Sequence, residues 1–203
     1  MNLLFLFLLP VSAYLLGSVP FGLVLTKLFT SVDIRKEGSG NIGATNVRRT
    51  AGNTLGALTL IGDVAKGAVP VAIGVHAVPE GGFGRELFLA AVALCAFGGH
   101  LFPLFLRFRS GGKGVATWAG AVAAFSPLAV AVALLVFVMM VCFTGRVSLG
   151  SMTASITLPV AVWEATGSSA MTAAAAVAAL FIIARHHENI ARLLAGTEPS
   201  VFK

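Results

Sequence analysis

GVATWAGAVAAFSPLAVAVALLVFVMMVCFT, residues 114–144, is the stretch that decides the fold. It is apolar over more length than one ordinary membrane span, which takes about 20 residues and seldom more than 25. Ser126-Pro127 stands near its middle. Proline there is a natural turn or helix start, because the first helical position has no N–H bond to lose. The stretch is therefore read as two short helices rather than one long one.

Charge supports the split. The other apolar runs are 2–25, 54–76, 86–106, 148–164 and 169–184. With two helices in 114–144, one side of the membrane receives Arg35, Lys36, Arg48, Arg49, Arg107, Arg109, Lys113, Arg146, Arg185, Arg192 and Lys203. The other side receives Glu80, Arg85, Glu86 and Glu164. That obeys the excess of Lys and Arg in cytoplasmic loops. With a single helix, Arg146, Arg185 and Arg192 would fall outside. The expectation is an all-α, polytopic membrane protein with about seven transmembrane helices, N-terminus out and C-terminus in, forming one domain over 1–203.

Composition agrees. Hydrophobic residues make up 57% and charged residues 11%, with mean hydropathy +0.93. A soluble domain is about 25% charged, and this chain is too short to hide so much apolar surface without lipid. The net charge of +6 is read as topology charge. Nucleic acid is excluded as a partner, because no basic face or base-stacking platform is visible. Cys95 and Cys142 lie in apolar runs without CxxC spacing and are read as buried packing residues. The first run, Met1–Val24, lacks a basic leader and outruns a signal h-region, and Lys27 follows it. It is read as an uncleaved first span. The alanines of 173–179 are read as a close-packing helix surface.

Three polar constellations fall on the basic side. The first is Gly38-Ser39-Gly40-Asn41-Ile42-Gly43-Ala44-Thr45-Asn46-Val47-Arg48-Arg49. Glycine lets backbone N–H groups approach an anion, and arginine binds phosphate bidentately. The second is Gly99-His100-Leu101-Phe102-Pro103 with Arg109-Ser110-Gly111-Gly112-Lys113-Gly114-Val115-Ala116-Thr117. A glycine turn entering a helix beside a lysine offers oriented N–H groups and a point cation to phosphate. The Walker A spacing fails, so nucleotide hydrolysis is disfavoured. The third is Arg185-His186-His187-Glu188-Asn189-Ile190-Ala191-Arg192. On one continuous helix, Arg185, Glu188 and Arg192 would share a face and pair. Adjacent histidines diverge on a helix, so no metal is expected.

Asp63 and Lys66 lie i, i+3 inside an apolar run, where ionisable groups pair or face a polar cavity. A structural ion pair and a wall of the site both fit. Ser148 and Ser151 lie on the same predicted side as the motifs, and serine there is more often a helix cap than a ligand.

SGNIGATNVRR at 39–49, GHLFP and GGKGVAT within 99–117, and RHHENIARLLAGTE at 185–198 together resemble the bacterial acyl-phosphate:glycerol-3-phosphate acyltransferases, the PlsY family. Asp63-x-x-Lys66-Gly67 also looks like that family. The resemblance implies seven spans and transfer of a fatty acyl group from acyl-phosphate to the 1-hydroxyl of glycerol 3-phosphate, giving lysophosphatidic acid and phosphate. It implies a site at the cytoplasmic surface of a bacterial inner membrane, no cofactor, and a functional link to the enzyme that makes acyl-phosphate.

Carried over by residue, the resemblance assigns Ser39 and Arg49 to glycerol phosphate, helped by Ser151, His186 and Asn189. Lys113 with Gly111, Gly112 and Gly114 would hold acyl-phosphate, with Thr117 in the same binding set. Asn41 and Asn46 would order the first loop. Asp63, Lys66 and His100 are candidates for the wall of the site. The base is either His186 or a substrate phosphate, and a good leaving group favours the substrate. No histidine has Asp five residues on, so the HxxxxD acyltransferase pattern is absent. The second loop carries one residue more, near Ser110, than the family's usual pattern. A transporter would spread polar groups through the bilayer. A CDP-alcohol phosphotransferase would need an Asp-rich motif, and only Asp33 and Asp63 exist.

Overall fold

The structure is a computed structural model that describes residues 3–81 and 83–202. Among the described residues it is helical, without strands: α1 (Leu3–Gly17), α2 (Phe21–Phe29), α3 (Ala44–Ala51), α4 (Asn53–Ala77), α5 (Phe83–Leu101), a 3-10 turn (Leu104–Leu106), α6 (Val115–Phe125), α7 (Pro127–Thr144), α8 (Val147–Thr166), α9 (Ser169–Arg185) and α10 (His187–Leu194).

The deciding stretch divides as expected. α6 ends at Phe125 and α7 opens with Pro127 in its first turn. By length and hydropathy alone, α4, the stretch Gly84–Leu106 and α7 can each cross a membrane. Two bent pairs, α1 with α2 (45°) and α9 with α10 (57°), raise that number to five. The expected first span is thus broken, with Ser18, Val19 and Pro20 between its halves. α6 has only 11 residues, a rise of about 16 Å. α8 has 20 residues but carries hydroxyls, several of which fold back on the helix: Thr153 onto Leu149 O, Ser155 onto Met152 O and Thr157 onto Thr153 O.

Small residues set the packing. A side chain at Gly17 would meet Ala96 O at 2.1 Å, and one at Gly99 would meet Tyr14 O at 2.3 Å, so α1 and α5 cross almost backbone to backbone. α4 and α6 do the same: Gly67 faces Thr117 O and Gly120 faces Val64 O. Such close crossings replace hydrophobic drive with dispersion where lipid is the solvent. The buried centre is accordingly rich in alanine, with Ala93, Ala96, Ala121, Ala175 and Ala178 fully covered around Leu89, Val92 and Trp118. Ala174, Ala175, Ala178 and Ala179 of α9 are buried, as the alanine run predicts. α7 lies outermost, only 11% buried, with Leu134, Leu135 and Phe143 exposed. Cys142 is exposed too, against expectation, because it lies on this uncovered helix; Cys95 is half-buried.

The first polar loop has a small core of its own. Ile34, Ile42 and Val47 are buried with Leu23, and Leu55 and Leu106 pack on them. This core seats α3 against α4 and places Arg48 and Arg49 in the last turn of α3.

Candidate functional site

Asn46 is the organiser of the first loop. It is 2% exposed. Its Nδ2 donates to Ile34 O and Glu37 O, both at 3.1 Å, and its Oδ1 accepts from Ser39 N at 2.9 Å. One side chain thus closes the turn that carries Ser39. Asn41 does the same locally, accepting from Gly43 N at 2.9 Å. The expected ordering roles of both asparagines have this geometry.

The second loop folds back over the C-terminal end of α5. Gly112 N donates to His100 O at 3.2 Å. Side chains at Gly111 and Gly112 would collide with Leu101 O at 1.9 Å and His100 Nε2 at 2.0 Å, so only glycine lets the loop lie this close. Gly114 then takes φ 82° and caps α6. The first N–H groups of α6 have no partner within the helix, which makes this end a seat for an anion. The extra residue near Ser110 falls in a contorted segment: Arg107, Phe108 and Ser110 all have φ between 53° and 62°. That strain is confined upstream, and the path of Gly111–Gly114 keeps its contacts with α5.

Thr117 is fully buried and turns its hydroxyl to His100 Nδ1, 3.2 Å away. Its hydroxyl is thus engaged within the helix packing. Asp63, Lys66 and His100 are also buried, between 2% and 4% exposed. Lys66 Nζ meets Asp63 Oδ1 at 2.8 Å and Val19 O at 2.9 Å. Asp63 Oδ1 lies 3.7 Å from His100 Nδ1. Of the two readings of Asp63 and Lys66, the ion pair is the one realised; neither side chain opens on a surface.

The third motif does not run as one helix. The chain breaks at His186, and the bend parts Arg185 from the residues that follow. Arg185 donates to Leu101 O and lies 5.1 Å from the centre of the Phe102 ring, so it caps α5 instead of pairing with Glu188. Glu188 keeps only a distant contact with Arg192, 3.9 Å. His186 and Asn189 are buried at the break.

Here the motifs meet. Lys113 Nζ donates to Asn189 Oδ1. Asn189 Nδ2 donates to Glu198 Oε1 at 2.6 Å, Ser148 Oγ donates to the same oxygen at 2.6 Å, and Arg192 Nε donates to Glu198 Oε2 at 2.7 Å. Ser148 therefore binds a carboxylate rather than capping α8, whose first turn has no side-chain cap. Ser151 lies one turn further along α8 and is buried. Arg49 is close enough for its charge to act on Lys113.

Glu198 is the residue sequence reasoning left without a role. Burial works against its charge, yet the bonds from Ser148, Asn189 and Arg192 outweigh it and hold the carboxyl below its usual range. The available signal was its place in Gly-Thr-Glu at the end of the third motif. Burial brings Lys113 down to about 8; Glu198 and Glu188 oppose that shift, and Arg192 and Arg49 add to it. His186 is lowered to about 4, by burial first and Lys113 second. Its Nδ1 sits 2.7 Å from Ile182 O. A carbonyl only accepts, so the ring proton is on Nδ1 and the Nε2 lone pair is free.

The arrangement can hold anions. Lys113 and Arg192 gather around the Glu198 carboxylate, beside a helix N-terminus and a neutral imidazole, with the charge of Arg49 reaching Lys113. Among the described residues no group of three His, Cys, Asp or Glu is placed to hold a metal.

Comparison with known proteins gives the family. Residues 7–196 match the family model described as glycerol-3-phosphate acyltransferase. A protein of that name from Syntrophotalea carbinolica is 48% identical over 192 residues, 95% of each chain. One from Trichlorobacter lovleyi is 47% identical over 194 residues, 94% of each. The crystal structure of PlsY (YgiH), an integral membrane glycerol 3-phosphate acyltransferase, in its glycerol 3-phosphate form, superposes with a TM-score of 0.89 at 40% identity, covering 96% of this chain and 94% of that one. Its lysophosphatidic acid form gives 0.87. The chain belongs to the glycerol-3-phosphate acyltransferase family, as a polytopic helical membrane protein.

Proposed function

We propose that the protein moves a fatty acyl group from acyl-phosphate to the 1-hydroxyl of sn-glycerol 3-phosphate, giving lysophosphatidic acid and inorganic phosphate, the first acylation of phospholipid synthesis. The observation that carries this reading is the bond between Lys113 and Asn189, with Arg49 and Arg192 close by. It puts the glycine loop and the third motif within one side chain's reach, as joining two phosphate-bearing substrates requires. Both substrates are anions, and converging cations and N–H dipoles offset their repulsion.

In this reading the donor phosphate lies on Lys113 and the N–H groups from Gly112 into α6. Glycerol 3-phosphate lies between Arg49 with Ser39 and the pair His186 and Asn189, near Ser151. The 1-hydroxyl oxygen attacks the acyl carbon, the bond from that carbon to the bridging oxygen breaks, and the electron pair leaves on phosphate. Holding the two atoms at about 3–3.5 Å supplies much of the acceleration. The hydroxyl proton goes to a substrate phosphate oxygen. A phosphate monoester with its second pKa near 6 is a stronger base than His186 at about 4. His186 Nε2 then accepts a hydrogen bond from the neighbouring 2-hydroxyl and so orients the acceptor.

The whole of 1–203 acts as one domain crossing the bacterial inner membrane seven times, N-terminus out, with the site facing the cytoplasm. Arg35, Arg48, Arg107, Arg146 and Arg192 support that sidedness. The donor comes from an enzyme that makes acyl-phosphate. The test is purified protein with labelled glycerol 3-phosphate and either palmitoyl-phosphate or palmitoyl-CoA. Lysophosphatidate and phosphate from the first donor alone are expected; product from the thioester alone would overturn the donor assignment.

A further inference from the structure

Between α4, α5 and α6 lies a closed polar cluster that touches no surface. Lys66 Nζ donates to Asp63 Oδ1 (2.8 Å) and to Val19 O (2.9 Å), a carbonyl in the break between α1 and α2 that also accepts from Phe21 N. Asp63 Oδ1 faces His100 Nδ1 at 3.7 Å, and Thr117 Oγ1 lies 3.2 Å from the same nitrogen. Gly67 lets α4 approach α6 closely enough to assemble these groups, since a side chain there would overlap Thr117 O at 1.9 Å. Burying an acid, an amine and an imidazole costs free energy that packed apolar residues of similar volume would not. The bilayer raises that cost. A device that only glued helices together would not need the imidazole.

The other edge of that imidazole faces the glycine loop. Gly112 packs on the ring so tightly that a side chain there would reach Nε2 at 2.0 Å, and Gly112 N donates to His100 O. Lys113 is the next residue, and its amine points to Asn189.

We propose that His100, braced by Asp63, Lys66 and Thr117, is a positioning residue for the donor loop: its ring sets the height of Gly112 and so the aim of Lys113. This rests on the reading that Gly111–Lys113 hold the donor phosphate. The chain of contacts is continuous. Lys66 and Thr117 fix Asp63 and the ring from one side, and the ring and its own carbonyl fix Gly112 from the other. A misplacement of about 1 Å in such a loop can cost a hundredfold in rate, so precise support has a catalytic consequence without touching substrate.

The test uses the full chain in detergent or lipidic phase, with KM measured separately for palmitoyl-phosphate and glycerol 3-phosphate. The variants are His100→Ala, His100→Asn, Thr117→Val and Lys113→Ala. His100→Asn keeps a polar group near the Nδ1 position, and Thr117→Val keeps the shape while removing the hydroxyl. His100→Ala is expected to raise the donor KM roughly tenfold while leaving the acceptor KM within about twofold. His100→Asn should recover part of that loss, and Thr117→Val should show a smaller loss of the same kind. If His100→Ala fails to fold, Thr117→Val and His100→Asn still decide the matter.

Equal change in both KM values, or loss of active fraction with neither KM moved, would make the cluster purely structural and overturn the inference. Lys113→Ala separates the two levels. A raised donor KM there, with the His100 and Thr117 variants normal, retains the donor-loop reading and sinks the positioning role. An unchanged donor KM in Lys113→Ala sinks both.

Discussion

Lys113 donates to Asn189, joining residues 76 positions apart in the chain and tying the glycine loop to the third motif. The bond aligns Lys113 by one end of an amide whose other end is held by Glu198. The cation is thus oriented by a neutral acceptor, and the carboxylate stands one residue removed. Its charge remains available to a bound anion rather than being spent in a direct ion pair.

Lys113→Ala should therefore cost about 10²–10³ in kcat/KM for acyl-phosphate, the usual loss when a charge-stabilising donor is removed from a reacting centre. Lysophosphatidate formation by the folded variant in lipidic phase measures it. A loss below about threefold would contradict a direct role for the amine.

The same amine sets an alkaline limit. With its value lowered to about 8, Lys113 is charged below that pH and neutral above it. The kcat/KM for acyl-phosphate, which reports the free enzyme, should fall as pH rises through about 8. Lys113→Arg, always charged, should lose that limb whatever its plateau. A flat profile to pH 10 in the parent protein would exclude Lys113 as the titrating cation.

His186 makes the opposite prediction on the acid side. It is already neutral at pH 6–7, with a value of about 4. If substrate phosphate takes the proton, kcat should fall below about pH 6, where a phosphate monoester gains its second proton. His186→Gln should keep that limb while lowering kcat and raising the acceptor KM. Disappearance of the limb in the variant would assign the base to His186.

Glu198 accepts from Ser148, Asn189 and Arg192. Glu198→Gln keeps the shape but sets an amide N–H2 against Arg192. The expected cost is about 1.5–3 kcal/mol, the range for losing a hydrogen bond to a charged group. It should appear as a lower thermal midpoint in detergent. An unchanged midpoint would show that solvent replaces the bonds.

Asn46→Ala removes three hydrogen bonds at a buried position and leaves Ile34 O and Glu37 O without that donor. A loss of about 1–3 kcal/mol is expected, together with a higher KM for glycerol 3-phosphate, because the turn carrying Ser39 loosens. Asn46→Asp should not rescue, since a carboxylate cannot donate to those carbonyls. Full activity in either variant would remove Asn46 from the organisation of the loop.

Much of the site was legible as residue types at spacings. Glycine beside lysine before a helix is the pattern of an anion seat, and Gly111, Gly112, Lys113 and Gly114 do form a tight loop that enters α6. The ordering role of Asn46 is reached only through the family resemblance, and its side-chain hydrogen bonds to Ser39, Ile34 and Glu37 give it the matching geometry. What failed was the helical register across His186. Arg185 pairs with Glu188 only if the helix continues across His186, and it does not, whereas Glu188 and Arg192 share α10 and stay in reach of one another. Arg185 is taken by the open C-terminal carbonyls of α5.

The sequence by itself determined what depends on composition and local chemistry: a helical chain in lipid, a break at Ser126-Pro127, and three polar motifs with phosphate-binding character. Tertiary structure alone decided which groups meet. Ser148 and Glu198 lie 50 residues apart, His100 of α5 meets Thr117 of α6 at a helix crossing, and Gly67 lets α4, which carries Asp63 and Lys66, lie against α6 beside them. A buried polar group takes whatever partner packing brings within about 3 Å. That partner is fixed by how the helices cross.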